Sequence, residues 1–303
     1  MMYASDEEII EILQRSASAD FLKDAERFLS ICTNDSGFPL GAKHIEYLDR
    51  LFDSPIGIRE FESVLLAYIY FASACFAMDR VADRQSVDFI DTLAVPELVS
   101  KGIKHLCASD SENSSFYVDS VSVMFADFRN SMELEAASRR VIGIQRDRDE
   151  AYQLGQRSVL FVSAYSWLCF RRGISPDPID VGVLQRFVMF MQRGDDLGDW
   201  REDFLNENLT FFLRNCLKNM DSFSPSPEEL EEFIYLSGIY EEEGRRLILG
   251  FEGVIRDLEV RPNSVSLIAF VRKQLDRVLD VVRNFERIKS GGLSQPIAFS
   301  RVN

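Results

Sequence analysis

Two aspartate-rich segments carry the side chains whose types and spacing point most directly to chemistry. In the first, FASACFAMDRVADRQ, Asp79 and Asp83 are four residues apart, so on a helix both carboxylates project from one face, one turn apart. The apolar residues Phe76 and Phe71 precede Asp79 by three and eight positions and extend that face below the charge. This pattern predicts a cation site at the opening of an apolar pocket.

The second segment, FMQRGDDLGDWREDF, spaces Asp195, Asp199 and Asp203 at two successive intervals of four residues, with Asp196 and Glu202 beside them. On a helix the first three form one stripe of carboxylates over two turns. Like charges at this spacing destabilise a helix by roughly 0.2–0.5 kcal/mol per pair, so a stripe without an interleaved lysine indicates a bound cation. Magnesium fits better than calcium, because magnesium commonly joins a few carboxylates to substrate phosphate oxygens and no EF-hand loop is present.

An anionic substrate also needs a fixed cation from the protein. Arg157 is the leading candidate, because Phe161 and Tyr165 follow it at one and two helical turns and repeat the pattern of charge above apolar residues. The acidic residues of 228–232 and 241–243 follow the pattern of an outer helix and are predicted to be solvated. Weaker candidates for a substrate-binding cation are Arg146, Arg148, Arg193, Arg272, Lys273 and Arg277.

Composition excludes several other kinds of function. The formal charge of −15, from 49 acidic and 34 basic residues, would repel nucleic acid and anionic membranes. Two histidines and five scattered cysteines without a C-x-x-C pair provide little for a zinc site or a histidine-based catalytic triad. The cysteines are predicted to be reduced core residues of a cytoplasmic protein.

The chain carries no sign of export or of stable membrane insertion. Its N-terminus, MMYASDEEII, is acidic where a secretory signal would be basic and then apolar. The longest apolar run, residues 64–78, is shorter than the roughly 20 residues of a spanning helix and continues directly into Asp79. We therefore expect this run to form a buried helix.

Apolar residues recur at intervals of three and four in nearly every long segment, and strand-like alternation is missing. With 46% hydrophobic residues and 24 phenylalanines, the sequence predicts a single all-α domain over residues 1–303, a helical bundle with a central apolar pocket. The best-defined predicted helices are 59–84, 116–135, 145–170, 181–206, 228–247 and 264–288.

These residues resemble the class I isoprenoid-diphosphate enzymes, helical bundles that include prenyl elongases, squalene and phytoene synthases and terpene cyclases. Segment 192–203, QRGDDLGDWRED, is similar to three patterns of that superfamily. These are the Q-x-x-D-D-x-x-D of elongases, the Q…D-x-x-E-D of squalene and phytoene synthases and, with Asp in place of Asn, Ser and Glu, the N-D-L-x-S-x-x-x-E of cyclases. The resemblance extends over about residues 71–210.

Departures from the family patterns favour one branch. Elongases carry D-D-x-x-D followed by two arginines, whereas this chain has DRVADRQ, which disfavours chain elongation. The Y-C-x-Y-V-A-G stretch of squalene synthases is replaced by YQLGQRSVLF, which counts against head-to-head condensation. Arg157 corresponds by resemblance to the diphosphate-sensing arginine of cyclases. The C-terminal Arg-Tyr pair of many cyclases has no counterpart, since Arg283 is followed by Asn284.

The resemblance implies a terpene synthase that ionises an allylic C15 or C20 isoprenoid diphosphate and releases diphosphate. Three magnesium ions would be held by Asp79, Asp83, Asp195, Asp199 and Asp203, with Arg157 at the diphosphate, and the assembly could be a homodimer. Two alternatives stay open: a two-substrate prenyl transferase of the squalene or phytoene synthase type, and a non-catalytic helical interaction protein. Spacing below the charged residues selects as pocket wall Phe71, Phe76, Phe161, Tyr165, Phe187 and Met191.

Overall fold

The computed structural model describes residues 9, 11–12, 42–82, 89–108, 110–138, 159–220 and 224–291. Every regular element among these residues is a helix. The prediction of an all-α fold is confirmed. A short 3-10 helix, Ser111–Asn113, precedes α4. The α-helices are α1 (Ala42–Asp49), α2 (Ile58–Ala82), α3 (Phe89–Ala108), α4 (Ser114–Ser138), α5 (Val159–Arg171), α6 (Pro178–Gly198), α7 (Trp200–Leu205), α8 (Phe211–Met220), α9 (Pro227–Ser237), α10 (Ile239–Glu259) and α11 (Val265–Gly291).

Local signals determine where several helices begin and end. The side chain of Asp177 accepts a hydrogen bond from the backbone N–H of Ile179 and caps α6. The Ser226 side chain and Glu229 form a reciprocal capping box at the start of α9. Gly238 ends α9 with φ 78°, a left-handed conformation that glycine adopts without steric cost. The predicted single helix 228–247 is therefore wrong, because its apolar periodicity continues across this break.

Helix α2 lies in the interior, as expected for the apolar run 64–78. Among the described helices, Ile58–Asp79 alone is long and apolar enough to cross a membrane, and 72% of its most apolar window is buried inside the protein. It packs against α3 and α5. A Cβ atom at Gly102 of α3 would lie 2.5 Å from the ring of Phe71, so the missing side chain lets α3 approach α2 closely.

Helices α5, α6, α10 and α11 complete the bundle. Helix α5 packs against both α2 and α6, and α11 packs against α1, α6 and α10. One contiguous cluster of buried apolar residues links these helices and includes Trp167, Phe187 and Leu247. Cys75, Cys169 and Cys216 are buried and free, and Cys107 is free and partly buried, as predicted for reduced core residues. Cys32 lies outside the described residues.

Candidate active site

Asp79 of the first acidic segment lies at the same end of the helical bundle as the second acidic segment. Helix α3 runs antiparallel to α2, because the Ser63 side chain near the start of α2 donates to the backbone oxygen of His105 near the end of α3. Helix α5 ends at this same place, since Arg171 donates to the backbone oxygen of Leu106. Helix α6 returns from α5 after a short connection, so α2 and α6 run in the same direction and both carry their aspartates at their C-terminal ends.

The second segment crosses a helix junction while it keeps its spacing. Asp199 separates α6 from α7, with φ −104° and ψ 10°. Helical hydrogen bonds continue across it: the Asp199 N–H donates to the Asp195 carbonyl at 2.9 Å, and the Asp203 N–H donates to the Asp199 carbonyl at 3.0 Å. The predicted unbroken helix 181–206 is thus wrong at Asp199, but the four-residue register of the three aspartates is preserved.

Amide side chains donate hydrogen bonds to two carboxylates of the second segment. The Asn208 amide donates to the Asp203 carboxylate at 2.8 Å, and the Gln192 amide donates to the Asp196 carboxylate at 3.2 Å. Asp196 is buried, whereas Asp195 and Asp199 are exposed. Asp195 and Asp199 therefore offer the carboxylates that solvent and ions reach most easily.

Negative charge is concentrated around Asp199. Desolvation by the surrounding protein raises the pKa of Asp199, and repulsion from Glu202 raises it further. Burial also raises the pKa of Tyr240, with smaller contributions from Tyr235 and Asp199, so the Tyr240 hydroxyl lies within the field of Asp199. The ring of Tyr240 stacks on Phe285 at 3.8 Å between centroids. Nothing in the sequence pattern marked Tyr240 or Asn208 as neighbours of these aspartates.

A buried ion pair lies beside the second segment. Arg193 on α6 forms a close ion pair with Glu243 on α10, and its guanidinium lies 4.9 Å from the ring centroid of Phe211. Glu243 is 2% exposed, so the expectation that residues 241–243 are solvated is wrong at this position. Its face of α10 packs against α6, which the sequence of α10 alone does not reveal. Arg193, a weaker candidate for substrate binding, is engaged with Glu243.

The first segment is described only in part. Asp79 lies partly buried near the end of α2, and after burial itself it is the second cause of a raised pKa at Cys75, one turn below. Asp83 and Arg157 lie outside the described residues.

Within the described ranges, no group of three or more Asp, Glu, His or Cys residues stands close enough together to hold a metal ion. The exposed carboxylates of Asp195 and Asp199 nevertheless fit magnesium as donors, because magnesium takes oxygen ligands and completes its shell with water and phosphate.

A set of aromatic rings from five helices lies between α2 and α6. His44 (α1) contacts Phe161 (α5) at 5.3 Å between ring centroids and Phe270 (α11) at 5.1 Å. Phe187 (α6) contacts Phe161 at 5.8 Å and Phe270 at 5.4 Å. Tyr68 (α2) completes the set through an edge contact with His44 at 5.8 Å. We call these five residues the central aromatic cluster.

The central aromatic cluster lies at a similar depth below both acidic ends. Tyr68 precedes Asp79 by eleven residues on α2, which is about 16 Å of helical rise. Phe187 precedes Asp195 by eight residues on α6, or about 12 Å. Because α2 and α6 point the same way, Asp79 and the carboxylates of the second segment lie beyond the same face of the cluster.

The six predicted wall residues occupy several places. Phe161 and Phe187 meet in the central aromatic cluster, and Met191 lies one turn above Phe187, partly buried against the core. Phe76 is 45% exposed. The remaining two face other neighbours: Phe71 packs against Phe125 and Trp167, and Tyr165 donates to Asp180 at 2.8 Å.

Comparison with solved structures identifies the fold. The chain is similar to the crystal structure of heptaprenyl diphosphate synthase from Staphylococcus aureus, with a TM-score of 0.64 and 14% sequence identity, over 91% of this chain and 99% of that chain. No family model matches the sequence. No curated protein matches it either. The chain therefore shares the all-helical fold of this prenyl diphosphate synthase.

Proposed function

We propose that this protein is a magnesium-dependent isoprenoid-diphosphate enzyme, and specifically a class I terpene synthase that acts on one allylic C15 or C20 diphosphate. One observation carries the proposal: two aspartate-bearing helix ends on parallel helices lie above a single aromatic cluster. This arrangement separates an acidic, ion-accessible end from an aromatic interior, as an amphipathic isoprenoid diphosphate requires. The shared fold with a prenyl diphosphate synthase supports the same chemistry.

At the acidic end, the residues of this chain would hold and orient the diphosphate. Asp79, Asp195, Asp199 and Asp203, together with Asp83, are the proposed metal ligands, and Arg157 is the proposed direct contact to the diphosphate. Bound magnesium would supply Lewis-acid neutralisation of the leaving group. Asn208 fixes one oxygen of Asp203, and the pairing of Arg193 with Glu243 holds α6 against α10 beside it.

In the interior, the aromatic rings would receive the hydrocarbon part of the substrate. Phe161, Phe187 and Phe270 present ring faces and edges from three different helices. A ring face attracts positive charge, and an apolar surround excludes the water that would otherwise capture a carbocation. The cluster is thus suited to guide the cation that forms when the diphosphate leaves.

A second candidate function is the condensation of two isoprenoid diphosphates. The fold likeness to heptaprenyl diphosphate synthase favours it, because that protein's name describes a prenyl diphosphate product. The first acidic segment, with its isolated aspartates, favours the single-substrate reaction instead. The carbon count of the product distinguishes the two candidates.

The test incubates the purified full chain with magnesium and C10, C15 or C20 allylic diphosphate, first alone and then with isopentenyl diphosphate. Diphosphate release and extractable products are measured. We expect magnesium-dependent release and a hydrocarbon with the carbon count of the single substrate. A longer diphosphate, or a hydrocarbon of twice the carbon count, would replace the synthase proposal with condensation.

Matched variants separate catalysis from general effects of acidity. Asp199→Asn should lower diphosphate release on the order of 100-fold or more, as expected for loss of a transition-state-stabilising charge contact. Asp257→Asn removes an exposed carboxylate that pairs with Arg186 away from the acidic ends, and should leave release unchanged. Equal release by wild type and Asp199→Asn would show that Asp199 is not a metal ligand. No release from any substrate would favour the non-catalytic interaction protein.

A further inference from the structure

The central aromatic cluster contains one polar pair, His44 and Tyr68. The Nδ1 atom of His44 lies 2.7 Å from the Tyr68 hydroxyl, and the two residues are 24 positions apart on α1 and α2. Edge and tilted contacts with Phe161 and Phe270 surround the imidazole. Two hydrogen-bonding side chains in an aromatic interior carry a desolvation cost that an apolar pair would not. Packing alone therefore does not explain why two polar side chains occupy these positions.

The surroundings of His44 differ from those of a surface histidine. The residue keeps part of its surface accessible, yet burial lowers its pKa to about 4. A ring open to bulk water would keep a pKa near 6.5. The imidazole itself is therefore withdrawn from bulk water. At neutral pH the imidazole is uncharged, so one ring nitrogen carries a free lone pair.

This position lies far from the proposed diphosphate site. Tyr68, the partner of His44, is about 16 Å of helical rise below Asp79. A cationic carbon near the tail of a bound isoprenoid would accordingly lie closer to His44 than to the departing diphosphate. The other members of the cluster are three hydrocarbon rings and a phenol, all of them much weaker bases than imidazole.

We propose that His44 is the proton acceptor that ends the carbocation reaction, and that Tyr68 is a positioning residue that orients the imidazole; this rests on the proposed function. In the required tautomer, the His44 Nδ1–H donates to the Tyr68 oxygen and Nε2 carries the lone pair. A C–H bond next to the cationic carbon breaks, its electron pair forms the new C=C bond, and the proton transfers to Nε2. The resulting imidazolium returns that proton to water once the product has left. A carbocation is so strong an acid that a pKa of about 4 at His44 suffices.

The first experiment compares the products of wild type, His44→Phe and Tyr68→Phe with a C15 or C20 allylic diphosphate. The readout is the share of the main olefin per diphosphate released, so that a change in overall rate does not obscure it. Loss of the base should lower that share by at least about tenfold in His44→Phe, with alcohols and olefins from other carbons in its place. Tyr68→Phe should change the proportions of the same products by a smaller factor. His105→Gln, outside the cluster, should leave the proportions unchanged.

The second experiment does not depend on turnover. His44 and His105 are the two histidines of the chain, so imidazole nitrogen resonances of the full-length protein are assigned with His105→Gln. We expect a neutral His44 with its proton on Nδ1. Its Nε2 resonance should shift when an isoprenoid amine, whose ammonium mimics a carbocation, is added with magnesium and inorganic diphosphate.

The outcomes separate this inference from the function on which it rests. Unchanged product proportions in His44→Phe, or an Nε2 resonance that does not respond to saturating amine, would overturn the role of His44 while diphosphate release by wild type still supports the synthase. An absence of release from wild type would overturn both.

Discussion

The acidic ends of α2 and α6 and the central aromatic cluster below them treat polar groups in opposite ways. At the acidic ends, the carboxyl groups of Asp195 and Asp199 are exposed. In the cluster, His44 and Tyr68 form a neutral pair enclosed by rings. The difference follows from the cost of burying a charge, which water or a counter-ion must offset, whereas a neutral pair needs one good hydrogen bond.

The pair Arg193 and Glu243 shows the third solution, which is a buried charge neutralised by a partner. The pair joins α6 to α10 between the cluster and the acidic end. Both side chains are mostly buried, so each charge is neutralised by the other and not by solvent. Helix α6 therefore passes from neutral rings at Phe187 through a compensated ion pair to exposed carboxylates over about three turns. The comparison predicts different consequences for changes at each level.

The largest effect is expected at the buried ion pair. Glu243→Ala would leave Arg193 without its carboxylate in a mostly buried setting, and should lower the free energy of unfolding by about 3–5 kcal/mol in denaturant titrations. Asp257→Ala is the matched control, because it breaks an exposed ion pair between the same two helices and should cost at most about 1 kcal/mol. Equal losses of unfolding free energy in the two variants would contradict the distinction between the buried and the exposed ion pair.

The neutral pair should make the protein sensitive to acid. The unfolded chain protonates His44 near pH 6.5, but the folded protein does so only near its pKa of about 4. Acidification through this window favours the unfolded state, and the stability lost through His44 reaches about 3 kcal/mol at the lower limit. The measurement is the unfolding free energy of wild type and His44→Gln between pH 7 and pH 4. Parallel curves for the two proteins would show that His44 is not buried as a neutral group.

The acidic end should depend on the side chains that orient its carboxylates. Asn208→Ala removes the amide that donates to Asp203, and we expect magnesium-dependent diphosphate release to fall about 10- to 100-fold. Asn219→Ala removes an exposed amide on α8 as the control, with no expected change. Unaltered magnesium-dependent diphosphate release by Asn208→Ala would show that Asp203 does not need Asn208 to orient it, or that Asp203 is not a metal ligand.

The smallest effect is expected outside both regions. Ser226→Ala removes the capping box of α9 and should cost about 1 kcal/mol of unfolding free energy. Its product proportions should match those of wild type. An altered product pattern from this variant would mean that a loss of stability alone changes the products. Product changes in other variants could then not be assigned to the acidic end or to the cluster.

Much of the fold and part of the site could be predicted from the sequence because the determining interactions are local. Helical periodicity identified the all-α class, and the four-residue spacing of Asp195, Asp199 and Asp203 survives as hydrogen-bonded helical register. Local periodicity failed where one residue interrupts it: Gly238 divides a predicted helix, and so does the junction at Asp199.

Tertiary packing decided which side chains meet. His44 and Tyr68 are 24 residues apart, and Arg193 and Glu243 are 50 apart, so their pairing depends on how helices cross and which faces they bury. Phe161 and Phe187 share one cluster with Phe270, whereas Phe71 faces another part of the core although it has the same helical relation to Asp79 that Phe187 has to Asp195. Spacing along one helix specifies a shared face, but only the neighbouring helices determine what that face contacts.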